Sequence, residues 1–440
     1  MNPQTYPPKT FTRNNGTVKN VSDEDKFYRD QRWLVAHNGW NTGQRINPNQ
    51  RWSITQMLNY GVRGFALDIE GDDQQNMELQ HDILVDSVKG WLTIRDELKT
   101  WMEKPENSRE VVTLFFESRV SGPRRGHQTS PLHELDESLK AISCYRSGRQ
   151  AQEKAIRYYK LKELIDGDPD RPYSHRLFAF IEKQPDEGPQ SVFPEMRKSF
   201  CENIYGNDSL REKTWVDLRD ESFISALAPM FMNHFGVVAD GDEFDRNSTR
   251  LIMKHSIAFA FAFGGRFPAF ISLDYINWKA GNVGPIDAIG ALQTARTLTV
   301  TPFQFYKVND FDSVHVAFDV DGDYNIKDTR IIGFDVDIDD KGITDIKPVW
   351  GDKNAVGVSG VQLVSVGKRG LVNMRYKMGS DNWSDNWLTQ YEKFGDSNNN
   401  KEATYEFYQS KIVGVCVRQQ KGYGATDFAT AAISWPDENV

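Results

Sequence analysis

The sequence predicts two domains in series, a parallel α/β domain followed by an all-β domain. The first prediction rests on short apolar segments that alternate with longer amphipathic stretches for about 260 residues after Gln31. The second rests on a change after about residue 300, where helical periodicity disappears and short alternating segments rich in Asp, Gly and Val take over. At 440 residues the chain is long enough for both domains, because α/β barrels take about 250 residues. These patterns leave open whether the parallel sheet is open or closed into a barrel.

The elements of the first domain are predicted from their length and composition. Brief segments rich in β-branched or aromatic residues are predicted as buried strands at 33–36, 62–69, 111–116, 177–181 and 270–273. Amphipathic stretches between them are predicted as helices at 53–59, 84–102 and 131–140. The predicted boundaries are 1–25 for a polar lead-in, 26–300 for the α/β domain and 305–440 for the β-rich domain.

The β-rich domain contains three similar segments. They lie around Gly333, Gly360 and Gly414, which are 27 and 54 residues apart, so the third copy comes two periods after the second. Each copy is predicted as a strand, a glycine-containing turn and a second strand. Three such copies favour pseudo-threefold packing, as in a β-prism or a β-trefoil, and an antiparallel sandwich is the alternative.

Composition and charge argue against several functions. The net charge of −9 argues against a nucleic-acid partner, which would require a strongly basic face. The cysteines, Cys144, Cys201 and Cys416, are far apart and lack CxxC spacing, which argues against a disulfide framework or a thiolate zinc site. The N-terminal residues have no apolar signal segment, and no stretch approaches 18 consecutive apolar residues. We therefore expect a cytoplasmic protein or one exported by a non-classical route, with membrane contact that is peripheral.

Polar side chains occur where the predicted strands end. His37 and Asn38 follow the first strand, Asp68 and Glu117 come at the ends of the second and third, and Asp274 follows the last. In parallel α/β sheets the carboxyl ends of the strands meet at one edge, which is where the chemistry takes place. Taken singly, each residue has a simpler explanation, since a strand-end histidine is often structural and a strand-end aspartate often caps a helix.

Four segments occur in an order and spacing typical of one family. They are Val35-Ala36-His37-Asn38, Asn49-Gln50 with residues 53–58 and 61–68, Leu79-Gln80-His81, and residues 111–117. The later segments that continue the pattern are Asn233-His234-Phe235, Asn247-Ser248, residues 265–268 and Leu273-Asp274-Tyr275. Together they resemble the X domain of phosphatidylinositol-specific phospholipases C, in particular its PLC-like phosphodiesterase branch, over residues 30–295. The resemblance implies a distorted TIM-like α/β barrel and a phosphodiesterase that cleaves a phosphoinositide or a related phospholipid.

The resemblance also implies two-histidine general acid–base catalysis. His37 is then the base that takes a proton from the attacking hydroxyl, and His81 is the acid that protonates the leaving alcohol, as imidazole can do near neutral pH. Asp274 either orients the His37 imidazole or caps a helix. Arg63 is either a phosphate contact or a structural anchor under the barrel. The candidate catalytic residues are His37, His81, Asp274 and Arg63.

A metal is implied by the same resemblance. Metal-free members carry an Arg two residues beyond an Asp on the second strand, whereas calcium-dependent members carry acidic residues at these positions. Here the positions are Ala66 and Asp68. Asp68, with Asn38 and Glu117, matches the metal-dependent pattern and suits a divalent cation, Ca²⁺ with Mg²⁺ as the alternative. Ala66 lacks the expected carboxylate, and either water or Glu70, on the same face of the strand, is expected to replace it.

Two alternative functions stay open. A sphingomyelinase D-like phospholipase would also use two histidines, although Ala66 departs from the glutamate of that branch. A catalytically silent, toxin-like protein would bind lipid or glycan without turnover. In the second domain, Trp383, Trp387 and Tyr423 lie in polar segments and are predicted to contact a membrane, a glycan or a protein partner. Glu182, at the end of the fourth predicted strand, is a candidate substrate contact.

Overall fold

The computed structural model describes a large part of the chain, in two compact units. The described residues are 25–42, 48–71, 77–79, 89–118, 131–146, 156–167, 175–184, 192–203, 228–236, 247–262, 267–277, 284–294, 297–300, 313–316, 329–338, 343–352, 355–366, 371–378, 400–406, 411–420 and 424–434. The first unit comprises the described residues up to 249 together with those within 268–293. The second comprises the described residues within 250–267 and those from 294 onward. The domain boundaries expected at 300 and 305 stay a prediction, because residues 301–312 lie outside the described part.

The first unit is built on a mainly parallel sheet. Its strands are β1 (Trp33–Ala36), β2 (Val62–Gly71), β3 (Met77–Leu79), β4 (Lys89–Gly90), β5 (Val112–Ser118), β6 (Leu177–Ile181), β7 (Cys201–Glu202), β8 (Met230–Asn233) and β9 (Phe270–Leu273). Seven of them run parallel in the order β6-β5-β2-β1-β9-β8-β7, and β3 and β4 extend antiparallel from β2. Across the residues described, no ladder joins β6 to β7, so the observed sheet is a half-barrel that resembles the predicted TIM-like fold.

Aromatic side chains in the interior show that this sheet curls. The ring centroid of Phe115 in β5 lies 4.9 Å from that of Phe231 in β8 and 5.4 Å from that of Phe270 in β9. Three strands separate β5 from β8 in the sheet, so these rings meet only because the sheet is curved. Phe180 of β6 and Phe200, which precedes β7, are 4.9 Å apart and bring the two ends of the sheet together. The parallel strands therefore enclose one aromatic core.

Tyr28 closes the amino-terminal edge of this core. It lies in a short 3₁₀ helix, Tyr28–Asp30, and its hydroxyl oxygen is 2.6 Å from Oγ1 of Thr113 in β5. Its ring packs against Phe178 and Phe270, each near the start of its strand. Burial raises the pKa of Tyr28, so the phenol stays neutral and acts as a packing group with one hydrogen bond.

Six α-helices lie in the described residues, and the sequence predicted the first three of them; the second begins at residue 91 and not at 84, because residues 89–90 form a strand. They are α1 (Ile54–Tyr60), α2 (Trp91–Met102), α3 (Pro131–Leu139), α4 (Leu161–Asp166), α5 (Thr249–Ala262) and α6 (Pro285–Thr294). Ser53 caps α1, since its Oγ accepts the Gln56 N–H at 3.2 Å while Gln56 Oε1 accepts the Ser53 N–H at 2.9 Å. α1 ends at Gly61, whose φ of 120° requires glycine. None of the described helices is long and apolar enough to cross a membrane.

Antiparallel strands make up most of the second unit. They are β10 (Thr297–Val300), β11 (Ser313–Val316), β12 (Thr329–Ile338), β13 (Ile343–Asp352), β14 (Val358–Val366), β15 (Leu371–Met378), β16 (Asn400–Glu406), β17 (Lys411–Gln420) and β18 (Gly424–Ser434). They form three sheets, with the orders β10-β18-β17-β11, β12-β13 and β15-β14-β16. The three similar segments of the sequence correspond to the antiparallel pairs β12/β13, β14/β15 and β17/β18.

Two of these pairs share a buried apolar core. Its members are Ile331, Phe334, Ile343, Ile346, Val358, Val361, Leu363 and Met374. The three sheets have two, three and four strands, so the three copies are not equivalent in the residues described. The antiparallel pairs are therefore present, whereas the internal repeat and its pseudo-threefold packing in a β-prism or β-trefoil stay predictions.

Candidate active site

The carboxyl ends of the parallel strands carry most of the predicted site residues. His37 and Asn38 follow β1, Asp274 follows β9, Asp68 lies in β2 and Glu117 lies in β5. β1 pairs with both β2 and β9, and Asp68 is directly opposite Glu117 in the β2–β5 ladder. The structure therefore brings these five residues to one edge of the sheet.

The central feature of this edge is a hydrogen-bonded pair of His37 and Asp274. Nδ1 of His37 lies 2.8 Å from Oδ1 of Asp274. The pair follows from the strand register, because Ala36 lies opposite Leu273 and the His37 N–H donates to the Leu273 carbonyl at 2.9 Å. Since a carboxylate only accepts hydrogen bonds, Nδ1 carries a proton and Nε2 is left for proton transfer. Of the two roles considered for Asp274, this geometry supports orientation of His37.

The surroundings of His37 raise its pKa. Burial acts in the opposite direction and lowers the pKa, because it disfavours the charged imidazolium. The charge of Asp274 and its hydrogen bond outweigh that effect, with further contributions from Asp68 and Glu117. The pKa therefore lies above its ordinary value, which makes the imidazole a stronger base.

Phe235 covers one face of the His37 ring. It follows β8, and the two rings lie parallel, with 3.6 Å between their centroids and 8° between their planes. The stack restrains the tilt of the imidazole, while the bond to Asp274 restrains its rotation. An aromatic face also stabilises a cationic ring placed over it. The sequence pointed to Phe235 only as part of the family-like Asn233-His234-Phe235 segment.

The Asn49-Gln50 dipeptide connects the ends of β1 and β9. Gln50 Nε2 donates to the carbonyls of His37 and Leu273, both at 2.9 Å. Gln50 Oε1 accepts the Ile276 N–H at 3.1 Å. These bonds satisfy backbone groups where the two strands end, so the dipeptide fixes the distance between the segments that carry His37 and Asp274.

The backbone turns sharply just after both members of the pair. Asn38 and Tyr275 each have a φ of 45°, in the left-handed region. Asparagine adopts this conformation readily, whereas a bulky aromatic residue rarely does. Tyr275 is held there by its N–H, which donates to the Asn49 carbonyl at 2.7 Å, and by Asn247, whose Nδ2 donates to the Tyr275 carbonyl at 3.0 Å. Strain of this kind, maintained by surrounding bonds, is typical of functional sites.

Oxygen donors beside His37 fit a hard divalent cation. Asn38 is fully buried, and its Oδ1 has no hydrogen-bond partner among the described residues. Asp68 is buried and Glu117 is half-buried. Two carboxylates and an amide oxygen are ligands of the kind that Ca²⁺ and Mg²⁺ prefer, so this donor set suits the expected cation.

The third oxygen of this donor set comes from the Asn38 amide and not from a third carboxylate. No group of three His, Cys, Asp or Glu side chains that could hold a metal ion occurs in the described part of the chain. Ala66 supplies no side-chain oxygen, as the sequence already indicates. The side chain of Glu70 lies outside the described residues, so its role as a ligand stays a prediction.

Glu182 pairs with an arginine that the sequence did not indicate. Glu182 follows β6, and its Oε1 accepts a hydrogen bond from Nη2 of Arg197 at 2.7 Å. Glu182 is also the next residue along β6 from Ile181, which lies opposite Phe116 beside Glu117. Arg197 lies in a short 3₁₀ helix, Met196–Lys198, with no apolar periodicity, so nothing in the sequence related it to this edge. The end of β6 therefore carries an ion pair, in which Glu182 balances the charge of Arg197.

A second polar cluster lies at the ends of β7 and β8. Asn233 Nδ2 donates to Glu202 Oε1 at 2.9 Å and to the Asn203 carbonyl at 2.8 Å. Asn203 Oδ1 in turn accepts the Asn233 N–H at 2.7 Å. The sequence did not predict these strands, because β7 has two residues and β8, Met-Phe-Met-Asn, lacks β-branched residues.

Arg63 lies at the opposite edge of the sheet, which corrects its inclusion among the candidate catalytic residues. It is fully buried near the start of β2, where its Nε donates to Glu110 Oε2 at 2.9 Å. Its Nη1 donates to the Leu58 carbonyl at 2.7 Å, and the guanidinium carbon is 4.8 Å from the Trp101 ring centroid. Of the two roles considered for Arg63, the structural anchor is the one that this position supports.

The remaining candidates lie outside the described residues. They are His81, the predicted acid, and the three aromatic residues of the second domain, Trp383, Trp387 and Tyr423. Their roles stay predictions.

Comparison with known proteins assigns the chain to a family. The PI-PLC X family model, PI-PLC X 1, matches residues 25–284, which is more than half of the chain. No curated protein matches the sequence.

Solved structures that resemble the chain include three bacterial enzymes. A phosphatidylinositol-specific phospholipase C from Staphylococcus aureus is 11% identical, with 61% of this chain and 94% of that chain covered and a TM-score of 0.37. The enzyme from Listeria monocytogenes is 10% identical, with 61% and 94% covered and a TM-score of 0.38. A Ca²⁺-dependent enzyme from Streptomyces antibioticus is 10% identical, with 61% and 98% covered and a TM-score of 0.34. The assignment rests on the family model: the chain belongs to the PI-PLC X family and is a phosphodiesterase of the phospholipase C type.

Proposed function

We propose that the chain cleaves a phosphoinositide or a related phospholipid by two-histidine acid–base catalysis, assisted by a divalent cation. The observation that carries the proposal is the 2.8 Å contact between His37 and Asp274, beside Asp68 and Glu117 at the carboxyl edge of the sheet. His81 is the second histidine on the strength of its place in the family-like pattern.

The proposed reaction has two stages. In the first, Nε2 of His37 takes the proton of the inositol 2-hydroxyl as its oxygen attacks phosphorus. The bond between phosphorus and the glycerol oxygen breaks, and His81 gives its proton to that oxygen, which releases diacylglycerol and an inositol cyclic phosphate. In the second stage water opens the cyclic phosphate by the reverse proton transfers. Asp274 stabilises the imidazolium that forms on His37.

A cation at this site would be held by Asn38, Asp68 and Glu117, with Glu70 as a further candidate ligand. When bound, it supplies positive charge to the non-bridging oxygens of the phosphate. Support comes from the all-oxygen donor set and from the buried Oδ1 of Asn38, which has no partner among the described residues. Ca²⁺ is the proposed ion and Mg²⁺ the alternative.

Turnover of a soluble inositol phosphodiester, with and without a chelator, tests this proposal. We expect release of inositol cyclic phosphate in Ca²⁺ and its suppression by excess chelator. Full activity in excess chelator would contradict the metal assistance. Choline release from sphingomyelin, without cleavage of the inositol diester, would favour the sphingomyelinase D-like alternative, and no turnover of either would favour a silent binding protein.

We also propose that the β-rich residues 305–440 bring the enzyme to a membrane, a glycan or a protein surface. Helix α5 belongs to the second unit, although it lies within the residues that match the family model. Deletion of residues 305–440 would therefore remove most of the unit to which this helix belongs. Substitutions in the full chain avoid this problem. Trp383→Ala with Trp387→Ala should weaken binding to phosphatidylinositol vesicles and leave turnover of the soluble diester unchanged. Tyr158→Ala, at a 40% exposed tyrosine of the first unit, is the control, and equal vesicle binding by all variants would contradict the proposal.

A further inference from the structure

Asn49 is the residue through which several active-site groups are connected. Its Nδ2 donates to Oδ1 of Asp274 at 3.0 Å. Its Oδ1 accepts from Nδ2 of Asn41 at 2.8 Å and, more weakly, from Nδ2 of Asn38 at 3.4 Å. Its carbonyl accepts the N–H of Tyr275 at 2.7 Å. The side-chain amide thus uses both its ends within the site.

The first consequence concerns the carboxylate of Asp274. Oδ1 of Asp274 accepts from both His37 and Asn49, at 2.8 and 3.0 Å. Rotation of the carboxylate would break both bonds, so Asn49 holds the carboxylate in the orientation that the His37 imidazole requires. Residues that hydrogen-bond to a catalytic group without contacting the substrate commonly determine how well a catalytic histidine or its carboxylate works.

The second consequence concerns the amide of Asn38. Because Asn49 Oδ1 accepts from the nitrogen of that amide, the two ends of the Asn38 amide are distinguished. Oδ1 of Asn38 is then the end with no partner among the described residues, although the residue is fully buried. Asn49 therefore contacts both the His37–Asp274 pair, through Asp274, and the candidate cation ligand Asn38.

We propose that Asn49 is a positioning residue of the active site, whose amide holds Asp274 against His37 and orients the amide of Asn38. The proposal rests on the function proposed above, in which His37 is the base. Asn49 acts through its neighbours, and it needs no contact with the substrate to affect the rate.

Asn49→Asp is the sharpest test, because it changes one end of the amide and keeps the shape. An aspartate retains the acceptor for Asn38 and Asn41 and the backbone carbonyl for Tyr275. It also places a second carboxylate about 3.0 Å from Asp274, so the two groups either repel each other or share a proton, and in both cases the fixed N–H donor to Asp274 is lost. The matched control is Asn107→Asp. Asn107 is also buried and also donates one bond from Nδ2, to the Trp101 carbonyl at 2.8 Å.

We expect Asn49→Asp to lower kcat for the soluble inositol phosphodiester by about 10- to 100-fold, with KM changed by less than about twofold. The Nδ1 proton of His37, followed by proton NMR and assigned by its loss in His37→Gln, should exchange faster with solvent than in the native protein. Asn107→Asp should leave both quantities near native values. If Asn49→Asp proves unfolded in thermal melts, Asn49→Ala is measured in the same way, with Asn107→Ala as its control.

A native kcat and an unchanged His37 proton in the Asn49 variant would overturn the proposal. The NMR measurement needs no substrate, so it separates this proposal from the proposed function. If the native protein fails to cleave the inositol diester, the proposed function fails. In that case the exchange rate of the His37 proton alone decides whether Asn49 positions the pair, with faster exchange in the variant supporting the proposal and equal exchange overturning it.

Discussion

The two edges of the parallel sheet each contain a hydrogen-bonded pair of ionisable side chains, and the pairs are built differently. At the amino edge, Arg63 and Glu110 are 2.9 Å apart, and the arginine side chain is 0% exposed. At the carboxyl edge, His37 and Asp274 are 2.8 Å apart, and the imidazole is 17% exposed. Solvent and substrate can therefore reach one member of the second pair, whereas the first pair is closed off.

The backbone next to the two pairs also differs, and it is less regular next to His37 and Asp274. Arg63 donates further bonds to the carbonyls of Leu58 and Val62, on regular backbone. Next to His37 and Asp274, the backbone has positive φ at Asn38 and Tyr275, which among the described residues are the non-glycine positions with this conformation. An edge that only maintains the fold has relaxed backbone, while the edge assigned to chemistry stores strain and keeps a titratable ring accessible. Five single substitutions test this contrast.

The largest expected effect is on turnover when a histidine is replaced. His37→Ala should lower kcat by about 10²- to 10⁴-fold on any inositol phosphodiester, because the general base is lost. His81→Ala should cause a similar loss only where the leaving group is a poor one, such as an alkoxide, since a nitrophenolate leaves without an acid. Rates with both substrates are the measurement, and His133→Ala, at an exposed histidine, is the control. Near-native activity of His81→Ala on the alkyl diester would contradict its assignment as the acid.

Replacing Arg63 should affect stability and leave the chemistry unchanged. Arg63→Met removes one partner of a fully buried pair and leaves the Glu110 charge uncompensated, so unfolding should become easier by about 3–5 kcal/mol. Urea denaturation measures this loss, and kcat of the folded fraction should stay native. Arg63→Met combined with Glu110→Leu should recover part of the stability, because the uncompensated charge is then gone. A large loss of kcat with native stability would return Arg63 to the catalytic set.

Replacing Asp274 should change the pH dependence of the reaction. Burial lowers the pKa of His37 and Asp274 raises it, so Asp274→Asn leaves the effect of burial less opposed and the pKa falls. The acid limb of the kcat/KM profile should then move to lower pH, while kcat falls by about 10- to 100-fold because the ring is less well oriented. Asp136→Asn, at another buried aspartate, should not move the profile. An acid limb that stays in place would show that another group controls it.

The smallest expected effect is on the concentration of cation that the enzyme needs. Asp68→Asn replaces a charged ligand by a neutral one, so half-maximal activity should require about tenfold more Ca²⁺. A Ca²⁺ titration of turnover measures the change, and thermal melts without Ca²⁺ should differ little from those of the native protein. An unchanged Ca²⁺ requirement would remove Asp68 from the ligand set.

Strands with strong apolar runs were predictable from the sequence, whereas β7 and β8 were not. The strands predicted at 33–36, 177–181 and 270–273 have the observed bounds, because brief β-branched or aromatic runs between polar segments leave few alternatives. β7 and β8 were missed because they are short and their composition has little strand preference. Glu202 was missed with β7, whereas Asn233 was noticed only as part of the family-like Asn233-His234-Phe235 segment.

By itself the sequence determined the parallel α/β class, the strands with strong apolar runs and the group of polar residues at the strand ends. These follow from local periodicity and from the rule that parallel strands place their carboxyl ends at one edge. Only the tertiary structure decided which of those residues touch. The 2.8 Å contact of His37 with Asp274 joins positions 237 residues apart, and it depends on the register of β1 against β9. The same holds for Arg63, whose role depends on which end of β2 carries it, and for Asn49, whose partners meet only when the strands are paired.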